Sequence, residues 1–476
     1  MRLLRYLKEE NITDNWHDYL KDNDMLANAV SILKTITNSG FDAYIVGGAV
    51  RDLILGKKPH DIDIATNMPI DQLSKLYKTH DIGKSKDFGI ITVNINGFSY
   101  EIAQFREDGT YLDGRRPDQV KIVLDFKSDA ARRDLTINSM GIDKDGNIID
   151  YFDGKKDIKN KVIRTVGNPM ARFKEDKLRM LRTARFASKL GFNVDKSTLK
   201  AAKKLSKDLT SVSYERIKDE LFKAANDTGD KFIRYLELLD QMKLLRYILP
   251  ELIQLKYMSQ SGEHHPEGKG EGLTIWAHVK AALRQSNTTD PLKNLAILLH
   301  DIGKQKTLSI KDGVPVYHGH DEAALELIND IADRLKLSNK EREGLIFATL
   351  NHMKFHHILD MKPSKIIKLI DNDHWEILLA VARADMTSRG YLKDKVTFDT
   401  IIDKVLKIKE TWGKNSDEKI TKLIDGNYIM KLTGLKPSRQ VGIIINKISD
   451  WIIDNDIDKN DKKKIDDKIM EIFHEL

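Results

Sequence analysis

The chain has 476 residues, 41% of them hydrophobic and 32% charged, with a formal net charge of +7. That is too long for one ordinary domain, and no apolar run is long enough for a membrane-spanning helix. Cysteine is absent, which excludes disulfides and thiolate metal sites, so any metal must sit on His, Asp or Glu. The opening stretch, MRLLRYLKEENITDNWHDYL, has no apolar h-region and no small-residue cleavage site, and reads as a cytoplasmic start.

In chain order, DMLANAVSILKTITNSG carries apolar residues at helical spacing and ends at Gly40. FDAYIVGG reads as a strand, and AVRDLILG as a helix starting on a glycine pair. HDIDIAT alternates strictly and reads as a strand with its Ile residues on one face and its Asp residues on the other. FGIITVNINGFSYEIAQF reads as two strands joined by a tight turn at Asn96-Gly97, and KIVLDF as a further strand. After Gly154 the strand signals fade. From KEDKLRMLRTARFASKLGF onward the pattern is amphipathic helix, with loops at Asn226–Asp230, Ser259–Gly272 and Lys311–Tyr317. The segment from about 395 to 476 is Lys/Asp/Ile-rich and helical, without a metal-type cluster. The basic excess is modest and suits a solvated surface. Arginines nevertheless concentrate in 104–133 and 172–189, in a chain that otherwise prefers Lys. Arg forks match phosphates and base edges better than Lys does.

Two constellations carry chemistry. In IVGGAVRDLILGKKPHDIDIATN, residues i and i+2 of a strand face the same way, so Asp61 and Asp63 present adjacent carboxylates. Such a pair calls for a positive counter-charge, and Mg²⁺ takes a few carboxylates plus phosphate oxygens. Upstream, the backbone at Gly47-Gly48 can cradle a triphosphate, and Arg51 can reach the same phosphates. Glu101, on SYEIAQF, is of the right type to be a third ligand, or is a surface carboxylate.

This stretch resembles the head of the class II tRNA nucleotidyltransferases (CCA-adding enzymes) and bacterial poly(A) polymerases, of the DNA polymerase β superfamily. The likeness continues in order through REDGTYLDGRRPDQV, similar to the family's basic loop, ARRDLTINSMG, similar to its R-R-D-x-x-x-N element, and SYERIKDEL in the neck, and spans about residues 25–225. It implies an α+β architecture: a small polymerase-β-like head with a mixed sheet, then an all-α body and a helical tail. The expected boundaries are 1–150 for the head, 151–250 for a nucleotide- and RNA-binding neck, 251–390 for an HD domain and 391–476 for a tail contacting tRNA. In that tail, KPSRQ departs from the family's usual form.

The implied reaction is attack of an RNA 3′-hydroxyl on the α-phosphate of CTP or ATP, with Asp61, Asp63 and Glu101 catalytic and Mg²⁺ on Asp61 and Asp63. Nucleotide binding is implied for Gly47, Gly48, Arg51, Arg133, Asp134, Asn138, Glu175, Asp176, Arg179 and Arg182. Asp176 and Arg179 lie three apart, which on a continuous helix places them on one face. A carboxylate that only accepts beside a guanidinium that only donates suits the donor–acceptor edge of C and A and rejects G and U.

The second constellation surrounds LLHDIGK. His300-Asp301 closes an apolar helix, His278 lies on an earlier helix, and His320, His352 and Asp385 on later ones. Imidazoles with carboxylates suit Mn, Fe, Ni, Co or Mg. The set resembles an HD domain, a metal phosphohydrolase fold found behind the head and neck of many CCA-adding enzymes. By that resemblance His278, His300, Asp301 and Asp385 are metal ligands, with His320 and His352 serving a second metal or the substrate, and His318, His356 and His357 bystanders. The activity implied is phosphatase or 2′,3′-cyclic phosphodiesterase action on RNA ends. HDIGK also occurs at His80–Lys84, where Gly83, Lys84 and Phe88-Gly89 resemble a family loop near the nucleotide, so the repeat reads as coincidence. Expected partners are tRNA, CTP and ATP and a second copy of the chain, with no membrane, in the cytoplasm. The alternatives are a poly(A) polymerase, or a metal phosphohydrolase whose head only binds RNA.

Overall fold

The computed structural model describes residues 16–77, 79–80, 89–108, 120–260, 272–388, 398–412, 424–458 and 460–476. The chain divides into two compact units, one of residues 1–224 and 231–250, the other of 225–230 and 251–476.

The first unit starts with α1 (Trp16–Lys21) and α2 (Asp24–Asn38). Asn23 caps α2 by accepting the Leu26 N–H at 3.2 Å. There follow β1 (Ala43–Val46), α3 (Gly48–Ile54), β2 (Asp63–Thr66), α4 (Ile70–Leu76), β3 (Thr79–His80), β4 (Ile90–Ile95) and β5 (Phe98–Gln104). Then come β6 (Arg106–Asp108), β7 (Val120–Ile122), α5 (Phe126–Ala131), β8 (Gly141–Ile142) and β9 (Ile148–Ile149). Seven of these strands form one mixed sheet in the order β3-β4-β5-β2-β1-β8-β9, and β6 pairs with β7 apart from it. The β4–β5 hairpin turns at Asn96 and Gly97, both at positive φ, as the Asn-Gly pair requires.

Strand alternation divides the sheet into two faces. Ile45, Ile64, Tyr100 and Ile102 point into a core with Leu33 and Ile36 of α2 and Val50 and Leu53 of α3. Val46 and Ala65 point the other way, against Phe105 and Phe126. By the same alternation Asp63 and Glu101 belong to this second face. The pairing of β2 with β5 is parallel and sets Asp63 directly against Glu101.

Beyond the sheet lie α6 (Gly154–Lys159), α7 (Pro169–Glu175), α8 (Leu178–Leu190), α9 (Lys196–Leu205), α10 (Tyr214–Ala225) and α11 (Gly229–Gln241). The helix expected to run unbroken through Glu175, Asp176 and Arg179 is interrupted: α7 ends at Glu175, Asp176 has extended backbone, and α8 starts at Leu178. A second difference is that β2 starts at Asp63, so Asp61 precedes the strand.

The second unit is helical. Its helices at Ile275–Arg284, Pro291–Leu299, His320–Arg334, Asn339–Phe355 and Trp375–Ser388 hold the His/Asp residues. The segment read as a loop at Lys311–Tyr317 is largely a hairpin, Ser309–Lys311 against Val314–Val316. Asp312 and Gly313 turn it with positive φ, a Asp-Gly signal that fits a two-residue hairpin turn. In the tail, Ile429, Ile444, Ile448, Ile452, Ile465 and Ile469 form a core with Ile367 and Trp412. Among the described residues no helix is long and apolar enough to cross a membrane. The loop Gly83–Phe88, residues 109–119 of the basic loop and residues 261–271 of the Gly/His/Glu-rich segment lie outside the described residues.

Candidate functional site

In the first unit, a cleft of about 430 Å³ is lined by Gly47, Gly48, Arg51, Asp61, Asp63, Arg132, Arg133, Asp134, Asn138, Asp176, Arg179, Arg182 and Phe186. Every expected head residue lines it except Glu101, which stands beside Asp63 in register, and Glu175, which bonds Arg179. Gly47 has φ +74, and a β-carbon there would lie 3.4 Å from Arg133 Nη1 and 4.0 Å from Asp63 Oδ2. What requires glycine here is the backbone, φ +74 with ψ −132, which a residue with a side chain rarely adopts.

The electrostatics of the cleft ask for a cation. Withdrawal of Asp63 from bulk water, then the charges of Glu101 and Asp61, push its carboxyl up to about 6, against the pull of Arg133. Asp63 and Glu101 on one sheet face, with Asp61 just before β2, fit a divalent metal, which offsets their mutual repulsion.

Facing them is a wall of ordered guanidiniums. Buried Asp129 holds Arg132 at 2.8 Å and Arg133 at 3.0 Å. Arg182 Nε donates to Asp134 at 2.7 Å. Burial opposes the charge on Asp134, but Arg182, Arg179 and Asn138 together hold its carboxyl below the usual range. Arg51 is not turned freely toward the cleft: it donates to Asn138 at 2.7 Å and to Asp52 at 2.9 Å. The Phe186 ring lies under three guanidiniums, with centroid distances of 5.1 Å to Arg51, 5.5 Å to Arg182 and 4.4 Å to Arg185. Asp129, Arg132 and Phe186 were missed as site residues. Arg132 stood out only as one member of an Arg-rich stretch.

The two residues expected to read the base each have a protein partner. Asp176 is met by Arg216 at 3.1 Å, and Arg179 by Glu175 at 2.6 Å. Arg179 also donates to the Arg132 carbonyl at 3.1 Å. The break between α7 and α8 therefore presents a carboxylate and a guanidinium side by side, each oriented by a second residue.

In the second unit, His278, His300 and Asp385 converge, as do Asp301, His320 and His352, and all six are buried. The missing side chain at Gly303 lets the start of the helix His320–Arg334 pack against this segment, since a β-carbon there would lie 1.9 Å from the His320 carbonyl oxygen. His300, His320 and His352 place Nδ1 on the carbonyls of Ile297, Tyr317 and Thr349 at 2.8, 2.8 and 2.6 Å. Donation there leaves each Nε2 as a bare lone pair pointing inward. The Nε2 atoms meet in pairs, His278 with His300 and His320 with His352, each at 3.2 Å.

Asp301 joins the two groups. Its Oδ2 lies 3.4 Å from His300 Nε2 and 3.5 Å from His278 Nε2, and its Oδ1 lies 3.3 Å from His320 Nε2. Oδ1 is buried yet accepts no well-formed hydrogen bond. Lone pairs gathered around an orphaned carboxylate oxygen fit a bound cation. Burial opposes the Asp301 charge, but the Lys304 ammonium holds its carboxyl well below the usual carboxylate range. Lys304, the last residue of the pentapeptide, lies 2.6 Å from Asp301 Oδ2. His356, expected to be a bystander, instead touches Asp385 at 2.8 Å. His318 and His357 are exposed, and neither belongs to the two groups.

Comparison with known proteins agrees with this architecture. Residues 43–164 match the model of the Poly A polymerase head domain, and residues 191–255 that of the "Probable RNA and SrmB- binding site of polymerase A". The CCA-adding enzyme of Ligilactobacillus salivarius is 47% identical over 201 residues, covering 42% of this chain and 49% of that protein. The chain thus spans about half the length of the curated relatives it matches. The Bacillus stearothermophilus CCA-adding enzyme solved in complex with CTP is similar in fold, with a TM-score of 0.72 over 94% of this chain and 98% of that one, at 24% identity. The Thermotoga maritima CCA-adding enzyme complexed with tRNA covers 98% of both chains with a TM-score of 0.57 at 19% identity. Residues 43–164 and 191–255 thus resemble, in order, a poly A polymerase head domain and an RNA-binding segment of polymerase A.

Proposed function

We propose that this chain adds C, C and A to tRNA 3′ ends from CTP and ATP without a nucleic-acid template. The observation that carries the reading is the convergence on one cleft of Asp61 and Asp63 with Arg133, Asp176 and Arg179. Asp61 and Asp63, with Glu101 adjoining, would hold Mg²⁺, which when bound would supply charge neutralisation for phosphoryl transfer. The protein's own part is positioning. Arg133, Asp134 and Asn138 hold the sugar and phosphates of the nucleotide, with Gly47 and Gly48 giving the chain close approach. Asp176 accepts from the exocyclic amino group of cytosine or adenine while Arg179 donates to the adjoining ring nitrogen. Uracil and guanine present the opposite polarity and leave both groups unsatisfied. Arg216 and Glu175 keep the two readers aimed.

The likeness of the chain to CCA-adding enzymes solved with CTP and with tRNA supports this assignment. Incubation of purified protein with CTP, ATP and a tRNA lacking its 3′ end tests it. Termination after three additions is expected; a long A tail would assign the chain to poly(A) polymerase instead, and no addition would leave an RNA-binding head on a phosphohydrolase.

For the second unit we propose a metal-dependent phosphohydrolase acting on phosphomonoesters or 2′,3′-cyclic phosphates at RNA ends. His278, His300, Asp301, His320, His352 and Asp385 hold Mn, Fe, Ni, Co or Mg, which supplies an activated water. The proposed organisation is a head over 1–150, a neck over 151–250, an HD domain over 251–390 and a tRNA-contacting tail over 391–476, in a cytoplasmic homodimer. Phosphatase activity that is lost in EDTA and in Asp301→Ala supports the hydrolase; activity that survives both overturns it.

A further inference from the structure

Phe186 is the one apolar side chain among the residues that line the cleft of the first unit. It lies on α8, four residues after Arg182, so the helix places that pair on one face. The guanidinium carbons of Arg51, Arg182 and Arg185 stand 5.1, 5.5 and 4.4 Å from its ring centroid. Like charges gathered this closely repel. Each is offset by its own carboxylate: Asp52 for Arg51, Asp134 for Arg182 and Glu220 for Arg185. Burial alone would be served by leucine as well as by phenylalanine. The three surrounding guanidiniums are what calls for an aromatic face, whose quadrupole attracts cations.

The contacts form a closed circuit. Arg51 of α3 donates to Asn138 Oδ1 at 2.7 Å, and Asn138 Nδ2 donates to Asp134 Oδ1 at 3.4 Å. Arg182 of α8 donates to Asp134 Oδ2 at 2.7 Å. Phe186 lies against both arginines and so joins the last member to the first. A contact with a ring face uses up no N–H donor, so each guanidinium keeps its hydrogen bonds while its position is fixed. We propose that Phe186 is a positioning residue for the sugar and triphosphate of the bound nucleotide, its ring fixing Arg51 and Arg182 and, through them, Asn138 and Asp134. The inference rests on the proposal that this cleft binds CTP and ATP. It gives Phe186 no part in choosing the base, since Asp176 and Arg179 are aimed by Arg216 and Glu175.

The experiment separates the ring's face from its bulk. The full chain is made with Phe186→Leu, and with Phe186 replaced by phenylalanine carrying one, three or five ring fluorines. Fluorine drains the negative face, and five fluorines reverse it, at nearly constant ring size. Melting of the nucleotide-free protein confirms that each variant is folded at the assay temperature. Affinity for CTP and for ATP, measured by equilibrium dialysis, is expected to fall stepwise with fluorine number, to about tenfold at five, the scale of one desolvated cation–ring contact. Phe186→Leu is expected to fall as far. In single-nucleotide addition to a tRNA lacking its 3′ end, KM is expected to rise in parallel while kcat stays within about threefold. The preference for CTP over UTP is expected to stay constant across the series. Binding by the five-fluorine protein equal to wild type overturns the inference, as the mark of a ring that only fills space. A loss confined to one nucleotide, or a shifted CTP/UTP preference, also overturns it, since it would place Phe186 with the base readers. A parent protein that binds neither CTP nor ATP overturns the nucleotide reading of the cleft together with this one. A parent that binds both but extends no tRNA overturns the tRNA reading alone, because the stepwise loss of binding still decides the role of Phe186.

Discussion

Arg216 holds both oxygens of Asp176, its Nη2 standing 3.2 Å from one and 3.1 Å from the other. A residue of α10 thus sets the direction in which a carboxylate at the α7–α8 break can accept. Asp176→Ala and Arg179→Ala will each lower the preference for CTP over UTP by about 10–100-fold, the scale of one lost two-point base contact. Arg216→Ala will lower it by about tenfold, the scale of one hydrogen bond to a charged group. Single-nucleotide addition to a tRNA lacking its 3′ end, measured with each nucleotide, checks all three. An unchanged CTP/UTP ratio in Asp176→Ala and Arg179→Ala would show that the base is read elsewhere.

Asp61→Asn and Asp63→Asn remove the carboxylates that hold Mg²⁺ in the proposed reaction. Each will slow addition by about a thousandfold or more, since metal stabilisation of transferring phosphoryl groups is worth several kcal/mol. Binding of tRNA on a filter will stay within a few-fold. Rapid addition by either variant would remove the pair from catalysis.

Gly47→Ala will affect both stability and turnover. At φ +74 and ψ −132 an L-residue is strained by about 1–3 kcal/mol, and relief of that strain will shift the backbone that faces Asp63 and Arg133. A melting temperature lower by a few degrees and a raised KM for CTP and ATP alike are expected. A KM change confined to one nucleotide would place Gly47 with the base readers rather than with the phosphates.

Asp129 gives the head an acid-sensitive element. Burial opposes its charge, but Arg132 and Arg133 hold its carboxyl below the usual carboxylate range. A carboxyl depressed in the folded state stabilises fully above its unfolded pKa, and that stability is lost as pH falls through the folded value. Asp129→Asn leaves the two arginines without their shared carboxylate, and breaking such a buried pair costs about 3–5 kcal/mol. The gap in melting temperature between wild type and variant will be widest near neutrality and will narrow below pH 3.8. A gap that does not change between pH 7 and pH 3 would locate the effect in packing.

Much of the head was legible because its signals are local. Asn96-Gly97 specifies its turn, and the Ile/Asp alternation of HDIDIAT assigns faces whatever surrounds it. The break after Glu175 was not legible from periodicity, since Glu175, Asp176 and Lys177 carry neither Gly nor Pro. Its cause is partly tertiary. Asp176 accepts the Leu178 N–H at 3.0 Å and is pinned by Arg216, and both contacts go with its extended backbone between the two helices. His356 was hidden for a similar reason. Three histidines crowd NHMKFHH, and only the folded helix shows that 352 and 356 are one turn apart on different partners. Lys304 was quoted with its pentapeptide, but its contact with Asp301 depends on the turn at Gly303.

The parallel register of β2 and β5 has a consequence for the folding of the head. β2 is only four residues long, and a slip of one position against β5 would carry Glu101 to the helix-packed face and set Ile102 or Tyr100 beside Asp63. A misregistered head can stay compact while its carboxylates are scattered. Compactness and competence are therefore separate outcomes for this sheet, and the Ile64/Ile102 and Ile45/Ile64 cross-strand pairs act as proofreading contacts that make the two coincide.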